Sequence, residues 1–179
     1  VGFIEIEVTY RMIKTSPMGM ISLTDPKTEK FILSGKSCMI VPLLYSTDTK
    51  ELYTILVHQP RIGSGQIMYE FPAGMNEGSN NYKSTASREL AEEVGIKCDP
   101  DDLIPLSEKF NPKNPALYLN YARFDQHAQF FASVSKMTKE EIMNFEGNKR
   151  GADDDEQISL HVVPFDDSWL YGNEPATLA

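Results

Sequence analysis

The 179-residue chain lacks several features that would assign it to a protein class at once. It has only two cysteines, Cys38 and Cys98, and no N-x-S/T glycosylation sequon, so a secreted disulfide scaffold is not predicted. No apolar run approaches the length of about 18 residues that a membrane span needs. The first residues contain neither a basic segment nor a long apolar one, so no signal peptide is predicted. We therefore expect an intracellular protein, located in the cytoplasm unless a targeting segment has been removed.

Positive charge is also scarce in this chain. Lys and Arg number 17 against 26 Asp and Glu, which gives a net charge of −9 at pH 7. The basic surface that binds nucleic acid is therefore not predicted, and neither nucleic acid nor a membrane is an expected partner. If the substrate is a polyanion, the protein must bring cations to it. For most of the carboxylates, we expect a solvated surface position.

The chain does contain short apolar strands alternating with a few helices. Residues 3–10 (FIEIEVTY) alternate as a half-buried strand should, and the apolar runs 37–45 and 52–59 flank a turn-like TDTK, which predicts a hairpin. The remaining predicted elements are strands at 66–71, 103–109, 126–135 and 157–165, and helices at 82–94 and 136–145. Strands mixed with two or three helices predict a single domain of the α+β class.

The densest group of carboxylates lies in RELAEEVG, residues 88–95. Glu89, Glu92 and Glu93 are spaced i, i+3 and i+4, so they share one face of the predicted helix and repel one another. A bound cation would relieve this repulsion, because hard ions such as Mg2+ prefer oxygen ligands. The alternative is a solvated acidic helix face, which this segment taken alone favours.

The acidic segment is part of a longer pattern. Residues 74–96 read GMNEGSNNYKSTASRELAEEVGI, which resembles the Nudix box G-x5-E-x7-R-E-U-x-E-E-x-G-U, where U is a bulky aliphatic residue. Every defined position matches except that Asn80 stands where the box has its first glutamate. The resemblance implies a Nudix αβα sandwich with a mixed sheet over residues 36–179. Residues 1–35 would form a small antiparallel strand region that is a candidate dimerisation element.

The Nudix resemblance implies a metal site on the predicted helix. Glu89 and Glu93 would be the main ligands, with Glu92 in support and the backbone carbonyl of Ala73 as a further ligand. Arg88 would orient the carboxylates through charge-assisted hydrogen bonds. The implied metal is Mg2+, with Mn2+ as the alternative, and it would bridge a diphosphate and help deprotonate the attacking water.

Asn80 leaves a second function open. In the family, the glutamate at this position helps to hold the loop. Glu77 could substitute for it from three residues earlier, or Asn80 could act as a neutral partner. A catalytically silent Nudix module that only binds a nucleotide-sugar is therefore the alternative from outside the enzymes.

The residues before the box narrow the resemblance to one branch of the superfamily. Residues 58–74 (HQPRIGSGQIMYEFPAG) are similar to the Q-x-R…E-φ-P-A-G run of ADP-ribose and ADP-sugar diphosphatases. Arg61 would suit a substrate phosphate, because it is a permanently charged five-donor fork; a surface salt bridge is its alternative. Glu70 would bind a ribose hydroxyl or a metal-bound water, with a structural role as the alternative.

An acidic loop downstream supplies the candidate catalytic base. Residues 151–169 (GADDDEQISLHVVPFDDSW) resemble the acidic loop and following strand of the same branch, in which a loop glutamate outside the box takes this role. Glu156 is the first candidate. Asp154 is the runner-up and a candidate substrate-binding residue. Such a loop can fold over a metal–diphosphate complex and place a carboxylate on the attacking water; a purely solvated loop is the alternative.

These features predict a Mg2+-dependent hydrolase that cleaves the diphosphate of an ADP-sugar, of the ADP-ribose or ADP-glucose type, to give AMP and a sugar phosphate. A diphosphatase for another nucleoside diphosphate derivative is the alternative among enzymes. The branch also implies a homodimer formed through the N-terminal strands. Three scattered histidines are expected to be structural: His58, His127 and His161. Four aromatic residues could stack an adenine, although core packing is the more common role: Tyr69, Phe71, Tyr118 and Tyr121.

Overall fold

The computed structural model describes residues 3–76, 81–118, 124–151 and 158–172. The strands in these ranges are β1 (Ile4–Tyr10), β2 (Ile13–Thr15), β3 (Ile21–Leu23), β4 (Lys27–Leu33), β5 (Lys36–Ser46), β6 (Leu52–Arg61), β7 (Gln66–Glu70), β8 (Ala73–Met75), β9 (Ile104–Pro105), β10 (Leu117–Tyr118), β11 (His127–Met137), β12 (Lys149–Arg150) and β13 (Ile158–Pro164). The helices are α1 (Tyr82–Glu89), α2 (Leu106–Phe110) and α3 (Lys139–Met143). A π-helical turn over Leu90–Val94 continues α1, and 3-10 turns cover Pro100–Asp102 and Phe165–Leu170.

The first strands form two small antiparallel ribbons. Strand β1 pairs with β4 over its whole length, and β2 pairs with β3. The strand predicted at 3–10 is therefore present, but most of its side chains are exposed rather than half-buried. In β2 and β3 every residue is exposed.

The main sheet is mixed, as the resemblance implied. Its strands follow the order β10-β11-β5-β6-β13-β12, while β7, β8 and β9 pair with β6, β5 and β11 respectively. The long pairing of β11 with β5 is parallel, and the other pairs are antiparallel. The predicted hairpin is β5–β6, in which Tyr45 lies opposite Leu52.

Helices cover both faces of this sheet. On one face, apolar residues of β5 and β6 pack against α1, its π-helical turn and α3 in a core that includes Ile40, Ile55, Ala86, Leu90, Val94 and Ile142. On the other face, Leu106 of α2 and Tyr171 pack on a second core that includes Met39, Leu56, Phe71, Phe130 and Val163. This two-sided packing confirms the predicted α+β class and places α1 on one defined face of the sheet.

The prediction of a strand at 103–109 is wrong for the second half of that segment. Only Ile104–Pro105 is extended, and Leu106–Phe110 forms α2. A short apolar run does not by itself distinguish a strand from a buried helical turn. Here the tertiary structure decides: Ser107 is buried, and its hydroxyl accepts a hydrogen bond from the Phe130 backbone N–H at 2.7 Å. None of the helices in the described part of the chain is long and apolar enough to cross a membrane.

The Asp125 carboxylate accepts hydrogen bonds from the segment that connects the N-terminal ribbon to the main sheet. Asp125 Oδ1 accepts hydrogen bonds from the backbone N–H groups of Ser34 at 2.6 Å and Gly35 at 3.2 Å. The bond from Ser34 is the main reason that the pKa of Asp125 is lowered. Gly35 has φ +86, a conformation that glycine adopts readily, so the chain turns at this point into β5.

Candidate active site

Local sequence signals set the position of α1. The side chain of Asn81 accepts a hydrogen bond from the Ser84 backbone N–H at 3.1 Å, as expected of an N-cap. Gly95 ends the π-helical turn at φ +85. Three apolar residues spaced four apart are fully buried against the sheet: Ala86, Leu90 and Val94. The adjacent face of α1 and its π-helical turn therefore carries the acidic residues toward β8.

The carboxylate of Glu89 lies directly against Gly74 in β8. Glu89 is only 8% exposed. A Cβ atom built on Gly74 would come within 1.9 Å of Glu89 Oε1, which is an impossible contact. Glycine thus leaves the space that the Glu89 side chain occupies in this arrangement, and any larger residue would displace the carboxylate.

Glu93 reaches the neighbouring residue of the same strand. It is 7% exposed, and its Oε2 accepts a hydrogen bond from the Ala73 backbone N–H at 3.0 Å. Since Ala73 and Gly74 are consecutive, the structure brings both buried carboxylates to one short segment of β8. These are the two residues that the sequence named as the main metal ligands.

Arg88 holds two of the acidic residues by charge. Its Nη2 donates to Glu89 Oε1 and its Nη1 to Glu92 Oε2, both at 2.6 Å. Burial alone would lower the pKa of Arg88, but the two carboxylates outweigh that effect and raise it. The guanidinium therefore stays charged, and its contacts are those expected of a residue that orients carboxylates.

The described residues contain no group of three His, Cys, Asp or Glu side chains placed to hold a metal ion together. Glu89 and Glu93 approach β8, whereas Glu92 is directed to Arg88. Mg2+ nevertheless takes as few as one or two carboxylates from a protein and keeps waters and substrate phosphates as its other ligands. Two buried carboxylates beside the Ala73 backbone fit this donor requirement.

A thiol lies beneath the carboxylates. Cys38 is fully buried, pairs with Gly74 across β5 and β8, and places its Sγ 3.8 Å from the Gly74 carbonyl oxygen. Burial, reinforced by the charges of Glu89 and Glu93, raises the pKa of Cys38 to about 12. The thiol is therefore neutral and packs as a small apolar group rather than as a nucleophile.

Arg61 and Glu70 form an ion pair at the β6–β7 hairpin. Arg61 Nε lies 2.9 and 3.0 Å from the two carboxylate oxygens of Glu70, and Gln59 Nε2 donates to the same carboxylate at 3.3 Å. Glu70 is buried and lies opposite Val57, whose side chain belongs to the core beneath α1. The cluster is thus on the face that carries Glu89, and the salt bridge considered for Arg61 is present. A substrate-binding role for either residue stays a prediction.

Arg150 at the end of β12 was not anticipated from the sequence. Its Nη2 lies 2.6 Å from the point where a Gly95 Cβ would be, so its guanidinium covers the C-terminal end of the π-helical turn. A cation is favourable there because of the helix dipole. The contact depends on how β12 meets the helix, and no local pattern in the sequence reports that.

Some of the predicted residues lie outside the described ranges: Asn80, Asp154, Glu156 and Tyr121. Two of the histidines lie on the sheet face opposite α1, where His58 stacks on Tyr69 with ring centroids 4.3 Å apart and His161 packs against the same ring. The third, His127, lies on the α1 side of the sheet, where its Nε2 is 3.2 Å from the Tyr82 hydroxyl oxygen.

Comparison with known proteins matches this chain to a family model and to a plant protein. The family model described as "NUDIX domain" matches residues 38–177, which include both carboxylates that converge on β8. The chain is also 27% identical over 149 residues to "Nudix hydrolase 14, chloroplastic" from Arabidopsis thaliana. That alignment covers 82% of this chain and 48% of the plant protein, so the chain spans about half the length of the curated relative it matches.

Proposed function

This chain belongs to the NUDIX domain family, and from that premise we propose that it is a Mg2+-dependent hydrolase that cleaves the diphosphate of an ADP-sugar. The products would be AMP and a sugar phosphate. The observation that carries the proposal is the convergence of two buried carboxylates, Glu89 and Glu93, on consecutive residues of β8.

Charge supports a cation at this position. Glu89 and Glu93 are both buried and approach consecutive residues of β8, so a cation between them would offset the cost of burying two negative charges side by side. Glu89, Glu93 and the carbonyl of Ala73 would hold Mg2+, with Glu92 in support. The bound ion would neutralise charge developing on the diphosphate and lower the pKa of the attacking water.

The proposal gives the other predicted residues the remaining roles. Arg88 keeps Glu89 in one orientation, so the ligand geometry is prepared before substrate arrives. Arg61 lies on the same face of the sheet and supplies a cation for a phosphate, while Glu70 fixes the direction of its guanidinium. We assign Glu156 as the residue that positions or deprotonates water, with Asp154 as a further substrate contact. The ADP-sugar preference rests on the resemblance of residues 58–74 to that branch.

Glu93→Gln tests the proposal. Glutamine keeps the shape of the side chain and can still accept the Ala73 N–H, so the fold should be retained while one metal-binding charge is lost. We expect AMP release from ADP-ribose with Mg2+ to fall roughly 100-fold or more, measured by chromatography of the products. Glu140→Gln, which neutralises an exposed glutamate on α3, is the matched control and should leave the rate unchanged. Hydrolysis by the Glu93 variant at the wild-type rate would refute the assignment.

A substrate panel separates the alternatives. ADP-ribose, ADP-glucose and a dinucleoside polyphosphate would be compared for AMP release at equal concentration, each with Mg2+ and with Mn2+. Faster cleavage of the polyphosphate would assign the chain to another group of diphosphatases. Tight binding of ADP-ribose without any AMP release would instead indicate the silent binding module that Asn80 suggested.

The N-terminal ribbons support a homodimer as part of the proposal. More than half of the exposed large apolar side chains among the described residues precede residue 34. A two-stranded ribbon is marginally stable alone in water, so a covering surface would stabilise both. We propose that residues 1–35 form a dimerisation element and that 36–179 form the hydrolase domain.

We also propose that the protein is located in the cytoplasm. Both cysteines are free thiols, in keeping with a reducing compartment. The plant relative is named as chloroplastic, so an organelle is the alternative to the cytoplasm. Imaging of the full-length protein with a fluorescent tag distinguishes these two, and secretion of the tagged protein would contradict both.

A further inference from the structure

Among the described aromatic residues considered for stacking an adenine, one has a largely exposed ring on the α1 side of the sheet. Phe71 is only 5% exposed, and Tyr69 packs into the core of the opposite face. Tyr118, at the end of β10, is 53% exposed and belongs to neither core. Its exposure is therefore not explained by packing in the interior.

The Tyr118 ring rests on a fixed neighbour. Its centroid lies 5.5 Å from that of His127, and the two rings are tilted by 52°. His127 Nδ1 lies 3.4 Å from the Asp125 carbonyl oxygen, and Nε2 lies 3.2 Å from the Tyr82 hydroxyl oxygen. Because a carbonyl can only accept, Nδ1–H is the donor in that contact, and in the neutral imidazole Nε2 then accepts from the Tyr82 hydroxyl. Both ring nitrogens are thus engaged, and the imidazole is held in one orientation.

The Tyr82 contact places Tyr118 and His127 beside the first residue of α1, and the proposed metal-binding carboxylates lie at the other end of that helix. Tyr82 is the first residue of α1 and Glu89 is the last. At 1.5 Å per residue, the two lie about 10 Å apart along the helix axis. An extended nucleoside diphosphate has a comparable separation between its base and its second phosphate. A base placed at Tyr118 could therefore belong to the same ligand as a diphosphate placed at Glu89 and Glu93.

We propose that Tyr118, supported by His127, is the platform on which the purine base of the substrate stacks. An exposed aromatic ring binds the face of a base through dispersion and π-stacking, and a rigid support reduces the entropy lost on binding. The inference rests on the proposed function for the identity of the ligand, because it adds base recognition to the same site. In this arrangement His127 and Tyr82 are positioning residues, and Tyr118 is the contact residue.

Binding of etheno-AMP, a fluorescent AMP analogue whose emission changes on stacking, tests the platform without any hydrolysis. We expect Tyr118→Phe to bind like the wild type, since the ring is retained, and Tyr118→Leu to bind about tenfold more weakly. The KM for ADP-ribose should rise by a similar factor in Tyr118→Leu while kcat stays unchanged. Tyr82→Phe, which removes the hydroxyl that holds His127, should cause a smaller loss of affinity.

Phe110→Leu is the matched control, because Phe110 is 84% exposed on α2, which packs on the sheet face opposite α1. It should change neither affinity nor KM. Equal affinity of wild type and Tyr118→Leu for etheno-AMP, or no binding by the wild type, would overturn the platform. The two proposals fail separately: normal ADP-ribose hydrolysis with an unaffected Tyr118→Leu overturns only the platform. A Tyr118-dependent affinity without any hydrolysis overturns only the enzymatic function.

Discussion

At residue 74 any side chain would collide with the carboxylate of Glu89, although Gly74 has no positive φ that would demand glycine. The requirement is therefore one of space at the site and not of backbone strain. A methyl group added here would push away the end of the Glu89 side chain, which can move. The fold can accommodate that movement, whereas a metal ligand set cannot.

Gly74→Ala is accordingly expected to affect metal use more than stability. Displacement of Glu89 should raise the Mg2+ concentration required for half-maximal hydrolysis by about tenfold or more. The loss in unfolding free energy should stay near 1 kcal/mol. Gly63→Ala is the matched control, because nothing lies within 4 Å of a Cβ at that glycine. A Mg2+ titration and a thermal melt of the three proteins measure both effects, and an unchanged Mg2+ requirement would contradict the role given to Gly74.

The box residues could be selected from the sequence because they lie within 23 consecutive positions whose spacing is fixed by one helix and one loop. Cys38, His127 and Arg150 could not be selected in the same way. Cys38 lies beside Gly74 only because β5 pairs with β8, and His127 lies beside Lys36 only because β11 pairs with β5. Arg150 reaches Gly95 only because β12 packs against the end of the π-helical turn. Pairing of distant strands is a tertiary property that one sequence does not state.

At the scale of elements, most of the predicted helices and strands are present, and the differences lie in their bounds and in one segment that was assigned the wrong type. The helix predicted at 82–94 is present, with Asn81 as its N-cap and a π-helical last turn in which Gly95 N–H bonds to the Leu90 carbonyl. The helix at 136–145 shortened to Lys139–Met143, where Thr138 forms a capping box with Glu141. The run at 103–109 had no such signals, and half of it became α2.

The junction between the N-terminal ribbon and the sheet depends on one charge. Asp125→Asn keeps an acceptor but loses the charge that strengthens the bonds from Ser34 and Gly35. We expect a loss of about 1 kcal/mol and faster hydrogen exchange at those two amides at neutral pH. Asp166→Asn, an exposed aspartate in a 3-10 turn, is the control and should exchange like the wild type.

The same junction predicts a direction of pH dependence. The pKa of Asp125 is lowered in the folded protein from its ordinary value of 3.8. Its contribution is therefore complete above pH 3.8 and is lost as the pH falls through the lowered pKa. Thermal unfolding followed by circular dichroism should show a smaller difference between wild type and Asp125→Asn below that range than at pH 7. A difference that grows on acidification would contradict this account.

At the scale of the whole molecule, the main sheet and the N-terminal ribbons differ in how far their apolar side chains are buried. The main sheet buries its apolar side chains under helices on both faces, whereas the β1–β4 and β2–β3 ribbons have no such cover within the described residues. Alternation in FIEIEVTY predicted a strand with one buried face. The strand is present, and in the proposed dimer a second copy of the chain buries that face.

Ile13 and Ile21 provide the test of the proposed dimer. They lie on the same face of the β2–β3 ribbon and are 70% and 74% exposed. Burial of such a side chain contributes about 1.5–3 kcal/mol, so replacing both by aspartate should separate the dimer into monomers at the same concentration. Ile62→Asp is the control, because Ile62 is 99% exposed in the loop after β6 and should stay solvated in the dimer. Light scattering across a dilution series measures the molecular mass of each protein in solution. A monomeric wild type, or a double variant that stays dimeric, would show that the ribbons do not form the interface.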